Sequence, residues 1–415
     1  VTAAGSKPVP VTVLVGFLGA GKTTVLNHLL RALPARRFGV IVNDLAEVNI
    51  DAELVRRAGG DLAWATPRIV DFASGCICCT LREDLQFEVN RLSREHKLDA
   101  IIVESTGVAE PAPIAQTFVA RGVDGKRVIE SAELDALVAV VSARMLLGGC
   151  DVDAPLRERG LAEHPEDDRR ILEVMFHQIE MAQIVVLNKV DQVDLDERAE
   201  ALALISRLNP RALLIEAERG AVNANDILFT GRFSRDSAAR SRADLAVLTH
   251  ADEKESAGVS SFVFRARRPF HPRRFHKFIE SPWDGVLRSK GFFWLASRPA
   301  TMGYWSHAGE SCGAQPFAKW WIDTPFEEWP KDPESLAGLD KVWRTEVGDR
   351  RQELVFIGAG MDEALLRRDL SLCLLTDAEM SLGERRWREF DDPFGKDWDT
   401  VFAGRTAQSV PLCVA

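Results

Sequence analysis

The stretch Val11–Leu30, VTVLVGFLGAGKTTVLNHLL, decides the fold. It joins a β-branched apolar run, a glycine-rich turn and a helical pattern. Gly16, Gly21, Lys22 and Thr23 satisfy G-x-x-x-x-G-K-[ST], with Gly19 and Ala20 inside the turn and Thr24 just after it. A loop with so little side-chain bulk lets consecutive backbone N–H groups close around phosphate oxygens. The helix behind it adds free amides and the positive end of its dipole. Lys22 can then reach the β- and γ-phosphates, and Thr23 offers a hydroxyl to Mg²⁺. A strand before the motif and a helix after it make this a nucleotide-binding pattern.

Working outward, Phe38–Asn43, Arg68–Phe72, Leu98–Glu104, Leu134–Ser142 and Ile184–Asn188 are short apolar runs suited to buried parallel strands. Helical stretches separate them, Leu81–Leu92 among them. The alternation predicts an α/β domain with a doubly wound, mostly parallel sheet and ligands at the carboxyl ends of its strands. From Ser234 to Gly258 the chain is polar and poor in large apolar residues. The expected division is a nucleotide domain over 1–233, a linker over 234–258 and a smaller α+β domain over 259–415. In that last part Ser261–Arg267, Gly285–Ala296, Gln352–Ile357 and Leu372–Leu375 read as strands. Pro272–Ile279 and Asp362–Leu370 read as helices. The result is a β-α-β-β-α-β order with helices on one face of an antiparallel sheet.

Composition narrows the function. The formal charge of −10 argues against a general nucleic-acid partner. No apolar run approaches the roughly 18 residues of a membrane span, and the N-terminal residues lack the apolar stretch of an export signal. The expected setting is cytoplasmic, without a membrane partner. Seven cysteines, three of them crowded into Cys76-Ile77-Cys78-Cys79, make no disulfide framework and imply reduced thiols with a metal or redox role.

Two further motifs choose the nucleotide. Asn188-Lys189-Val190-Asp191 follows an apolar strand, where N-K-x-D reads guanine: the aspartate accepts from N1–H and the 2-amino group, and adenine lacks that pair of donors. Ile215-Glu216-Ala217 is a candidate second guanine loop. Glu104-Ser105-Thr106-Gly107 ends another strand. Its carboxylate, opposite Thr23, suits a Mg²⁺ held through water, and its glycine N–H suits contact with a γ-phosphate. Lys22, Thr23 and Glu104 are the residues expected to carry hydrolysis. With no evident water-positioning glutamine or arginine finger, intrinsic turnover is expected to be slow.

Cys76, Cys78 and Cys79 supply soft thiolates that select Zn²⁺ or Cu⁺ over Mg²⁺, and three thiolates alone also fit Co²⁺. Three ligands leave a tetrahedral site one short. Glu47, Asp44 or a ligand from a partner could complete it, and an open site suits a metal that is passed on.

With the P-loop, C-x-C-C, E-x-x-G and N-K-x-D in this order, the sequence resembles the CobW-type metallochaperone P-loop GTPases, in their zinc-related branch. The resemblance rests on Gly16–Thr24, Asp44–Asp51, Gly75–Cys79, Glu104–Pro111 and Asn188–Asp191, and on Ser261–Ile279, Leu287–Leu295 and Gln352–Leu375. It implies zinc on Cys76, Cys78 and Cys79, a switch loop at VNDLAEVNID, GTP and GDP as ligands and a client metalloprotein as partner. It leaves the oligomeric state open. Some relatives carry a glutamate where this chain has Val42, so that ligand does not carry over. Only His250 falls in Ser234–Gly258, which disfavours bulk metal storage. Insertion of cobalt or iron for a cobalamin pathway or nitrile hydratase remains an alternative. So does a regulatory switch with structural or redox cysteines.

Overall fold

In the computed structural model the described residues are 7–43, 68–72, 81–95, 97–120, 129–148, 154–159, 161–162, 167, 169–233, 257–309, 311–331 and 333–395. The described residues separate into two units, one ending at 233 and the other beginning at 257. The expected switch loop after Asn43, the cysteine motif with Cys76, Cys78 and Cys79, the candidate ligands Asp44 and Glu47, and most of the 234–258 segment lie outside the described residues.

The first unit is built on seven strands: β1 (Val9–Val15), β2 (Phe38–Asn43), β3 (Arg68–Phe72), β4 (Ala100–Glu104), β5 (Ala132–Ser142), β6 (Ile184–Asn188) and β7 (Leu213–Ala217). Their order is β3-β2-β4-β1-β5-β6-β7, and every pairing is parallel. β4 and β6 are buried at all five positions, which explains why they read as continuous apolar runs instead of alternating ones. On one face Leu14, Val40, Ile102, Val138 and Val186 pack with Val25, Leu26 and Leu29 of the helix Lys22–Ala32. The helices Leu81–Glu95, Pro111–Val119 and Ile171–Met181 pack on β5. β1 lies between β4 and β5, so the P-loop leaves the sheet at its centre, where the chain switches direction across the sheet.

The second unit holds an antiparallel sheet of β8 (Val259–Ala266), β9 (Val286–Trp294), β10 (Thr301–Ala308), β11 (Ser311–Lys319) and β12 (Gln352–Ala359), in the order β11-β10-β9-β12-β8. The expected β-α-β-β-α-β order needs two corrections. First, β10 and β11 form a hairpin that the pattern missed, because TMGYWSHA and SCGAQPFAK carry glycine, serine and proline where strands favour bulk. Pro316 is tolerated because β11 is the sheet edge, and Gly303 opposite it, beside a register shift, leaves room for the Phe293 ring. Second, Leu372–Leu375 is no strand: Cys373 ends the helix Glu363–Cys373, and Leu374 makes a lone bridge to Phe270.

Both faces of this sheet are covered, which corrects the one-face expectation. Phe262, Phe264, Phe293, Trp305, Leu354 and Phe356 pack under the helices Pro272–Ile279 and Glu363–Cys373. Phe292, Trp294 and Tyr304 face the other way, against Trp320, Leu375 and Trp387. Cys373 is buried in the first of these cores, and burial pushes its thiol up to about 12, so it serves as a small hydrophobe.

Candidate nucleotide site

The glycines of the P-loop are demanded by space. Gly16 has φ +148°, and a Cβ there would lie 2.2 Å from the Val140 carbonyl oxygen. Gly21 precedes the helix with φ +105°, and its Cβ would meet Asn188 Nδ2 at 2.3 Å. The backbone can therefore curl only with hydrogen at both places. No side chain caps the helix Lys22–Ala32, so its first amides stay available to an anion. Lys22 is buried and reaches back across the loop, its Nζ donating to the Gly16 carbonyl at 2.8 Å. Ala20 is buried within the turn, while Gly19 and Thr24 are exposed.

Thr23 and Glu104 meet. Glu104 ends β4, fully buried, and accepts a hydrogen bond from the Thr23 hydroxyl at 2.7 Å. Parallel pairing of β1 with β4 in the register Leu14↔Glu104 brings these two residues together from 81 positions apart. A hydroxyl and a carboxylate are hard oxygen donors, and this pair fits Mg²⁺ rather than zinc.

Asn188 ends β6 and works in both directions. Its Nδ2 donates to the Ala20 carbonyl at 2.9 Å, and its Oδ1 accepts from the Gly220 amide at 2.9 Å. The P-loop and the loop after β7 are thus bound to one buried amide. Lys189 follows in the left-handed region at φ 60°, and this turns the chain so that Asp191 stands exposed in the short turn Val190–Gln192. Ile215, Glu216 and Ala217 are strand residues of β7, and the loop proper begins at Glu218. Glu216 pairs with Arg198 on the helix Leu195–Leu208. His28, on the P-loop helix, has its Nε2 2.9 Å from the Val222 carbonyl, a packing contact.

The residues that follow Glu104 are held by groups no motif announced. Gln178, buried on the helix Ile171–Met181, donates to the Gly107 carbonyl at 3.3 Å and the Ala109 carbonyl at 3.1 Å. Arg169 donates to the Val108 carbonyl at 3.4 Å and pairs with Glu110 at 3.0 Å, and Asp167 holds the guanidinium from behind. His177 Nδ1 lies 3.4 Å from the other oxygen of Glu110. Burial works against ionising Glu110, but His177 and Arg169 outweigh it and hold its carboxyl below the usual carboxylate range.

Residues 10–216 match the family described as CobW/HypB/UreG, nucleotide-binding domain, and residues 259–374 match the cobalamin synthesis protein cobW C-terminal domain. The zinc-regulated GTPase metalloprotein activator 1 of Dictyostelium discoideum is 38% identical over 408 residues, covering 95% of this chain and 85% of that protein. The chain belongs to the CobW family. Among its other relatives, the zinc chaperone CobW of Pseudomonas aeruginosa is 35% identical over 222 residues, 51% of this chain and 57% of that protein. A zinc chaperone of Mycobacterium tuberculosis is 31% identical over 379 residues, 88% of each chain. Among the described residues of this CobW-family chain, no group of three or more His, Cys, Asp or Glu side chains could hold a metal ion. In the same residues, no helix is long and apolar enough to cross a membrane.

Proposed function

We propose that this CobW-family protein is a GTP-hydrolysing metallochaperone. In this reading it takes zinc on Cys76, Cys78 and Cys79 and passes it to a client metalloprotein under nucleotide control, in the reducing cytoplasm. Residues 1–233 carry the nucleotide chemistry, 234–258 link, and 259–415 form the second domain. The single observation that carries the nucleotide half is the convergence of Lys22, Thr23, Glu104 and Asn188 at the carboxyl ends of three strands of one sheet. The names of the relatives above, activator and zinc chaperone, support zinc as the cargo.

The residues divide the work. Amides of Gly16–Thr24 cradle the phosphates, and Lys22 moves its ammonium from the Gly16 carbonyl to the β- and γ-oxygens. Asp191, exposed beside the half-buried Lys189, accepts from the guanine edge, while Asn188 keeps that loop in register with the P-loop. Thr23 and Glu104 would hold Mg²⁺, directly and through water. Bound there, the ion would neutralise charge on the phosphate oxygens. Water then attacks the γ-phosphorus and GDP leaves with the broken bond's electron pair, giving GDP and phosphate. With no arginine finger evident in the sequence, intrinsic turnover is expected to be slow until metal or client accelerates it.

The test is GTP turnover with and without stoichiometric Zn²⁺, on wild type and on a variant with Cys76, Cys78 and Cys79→Ser. Zinc affinity is followed in parallel with GTP and with GDP. Zinc is expected to change turnover only in the wild type and to bind with different affinity in the two nucleotide states. Equal zinc affinity in both states, with unchanged turnover, would refute the chaperone reading.

A further inference from the structure

Three side chains from one stretch, Arg169, His177 and Gln178, grip four consecutive residues, Gly107 to Glu110. That segment begins three residues after Glu104 and lies against the P-loop. A Cβ on Gly107 would come within 2.7 Å of the Leu18 amide nitrogen, so the two backbones touch. Gln178 spends both its donors here: one buried amide holds two carbonyls, at Gly107 and Ala109. Glu110 stands at the N-cap of the helix Pro111–Val119 yet makes no capping bond, because its carboxylate is turned to Arg169 and His177. The stretch bearing the grip is itself anchored. Leu156 N–H donates to the Arg169 carbonyl at 2.9 Å and Ile171 N–H to the Ala154 carbonyl at 3.3 Å.

The geometry points to Gln178, assisted by Arg169 and His177 through Glu110, as the positioning residue that sets the preference for GTP over GDP. This rests on the GTPase reading and adds residues to it. A loop that must meet a γ-phosphate loses conformational freedom on binding GTP, and a loop already fixed against the P-loop loses little. GDP presents no γ-phosphate, so the order of this segment scarcely matters to it. The grip therefore lowers the dissociation constant of the triphosphate alone, a differential effect that shifts the balance between the two nucleotide states.

Gln178→Met keeps the length of the side chain and removes both donors. Binding of GTPγS and of GDP, each with Mg²⁺, is measured on the full chain for wild type, Gln178→Met and Glu110→Gln. Glu110→Gln weakens the half-buried outer contacts without touching the core, so it gives an answer even if Gln178→Met folds poorly. In Gln178→Met the GTPγS dissociation constant is expected to rise about tenfold while that for GDP stays within about twofold. Glu110→Gln is expected to move the same ratio in the same direction by a smaller factor. Arg169→Lys, which keeps a cation beside Glu110, is expected to retain most of the wild-type ratio. Equal weakening of both nucleotides, or none, in Gln178→Met and Glu110→Gln would overturn the inference, since a purely structural role lowers both affinities together. The wild type tests the underlying reading separately: failure to bind GTPγS at all would remove the GTPase reading, and the inference with it.

Discussion

The two sheets bury their polar groups differently. In the parallel sheet, β4 and β6 are apolar along most of their length, and polar side chains come at the last position, as Glu104 and Asn188. In the antiparallel sheet, Arg288, Ser289 and Lys290 are buried on β9 and His307 on β10, among aromatic rings. Arg288 donates to the Ser306 hydroxyl and the His307 carbonyl, and Trp305 Nε1 donates to the Ser289 hydroxyl at 2.9 Å. In the first sheet β4 and β6 are tolerant along their length and intolerant at their ends, and Thr12 of β1 with Asp135 of β5 adds one buried polar pair away from those ends. In the second, intolerance is spread through the strands. Exchange of one aliphatic for another is therefore cheap in the first sheet, whereas loss of a strand-end polar group there is expensive.

The sharpest way to break this contrast is Asn188→Ala. It strands the Ala20 carbonyl and the Gly220 amide, and it should cost about 3–4 kcal/mol in urea unfolding together with a large loss of nucleotide affinity. A cost near zero would mean the strand ends are no more sensitive than the strands. Next comes acid. Burial, and then the nearby Arg288, push His307 down to about 4 from its ordinary 6.5. The unfolded chain binds this proton first, so the stability that His307 lends is full above pH 6.5 and falls as pH drops toward 4, by up to about 3 kcal/mol. Urea midpoints at pH 7 and pH 4.5 should differ less in His307→Leu than in the wild type. Gly303→Val drives a side chain into the Phe293 ring, 2.4 Å from where its Cβ would sit, and should cost about 2 kcal/mol, with a change in tryptophan fluorescence. Nine of the ten tryptophans follow residue 280, so that signal reports the second unit. The smallest effect belongs to Ile102→Val inside β4, about 1 kcal/mol with GTP affinity unchanged.

The same contrast explains what could be read before any coordinates. The P-loop is local chemistry: glycine, lysine and threonine at fixed spacing follow from the shape of a phosphate, and the apolar runs beside them follow from burial on both faces. Thr23 with Glu104, and Asn188 beside Gly21, are consequences of parallel register at strand ends. The strands β10 and β11 are hidden because their stability lies in cross-strand pairs, such as Gly303 of β10 with Phe293 of β9 and with Pro316 of β11, which are invisible along the chain. Gln178 was hidden for a related reason. A glutamine in a helix looks like any other, and its carbonyl partners lie 69 and 71 positions away. In the second unit His271 stacks on Phe390 and His276 meets Phe394 edge-on.

Central to the proposed function is that the exposed carboxylate of Asp191, three residues after Asn188, reads guanine. Its most direct test is equilibrium binding of GTP and ATP, with Mg²⁺, to wild type and Asp191→Asn. The account predicts that wild type prefers GTP by at least about tenfold and that Asp191→Asn loses most of this preference through weaker GTP binding. Equal binding of ATP and GTP by the wild type, or a preference untouched by Asp191→Asn, would contradict it.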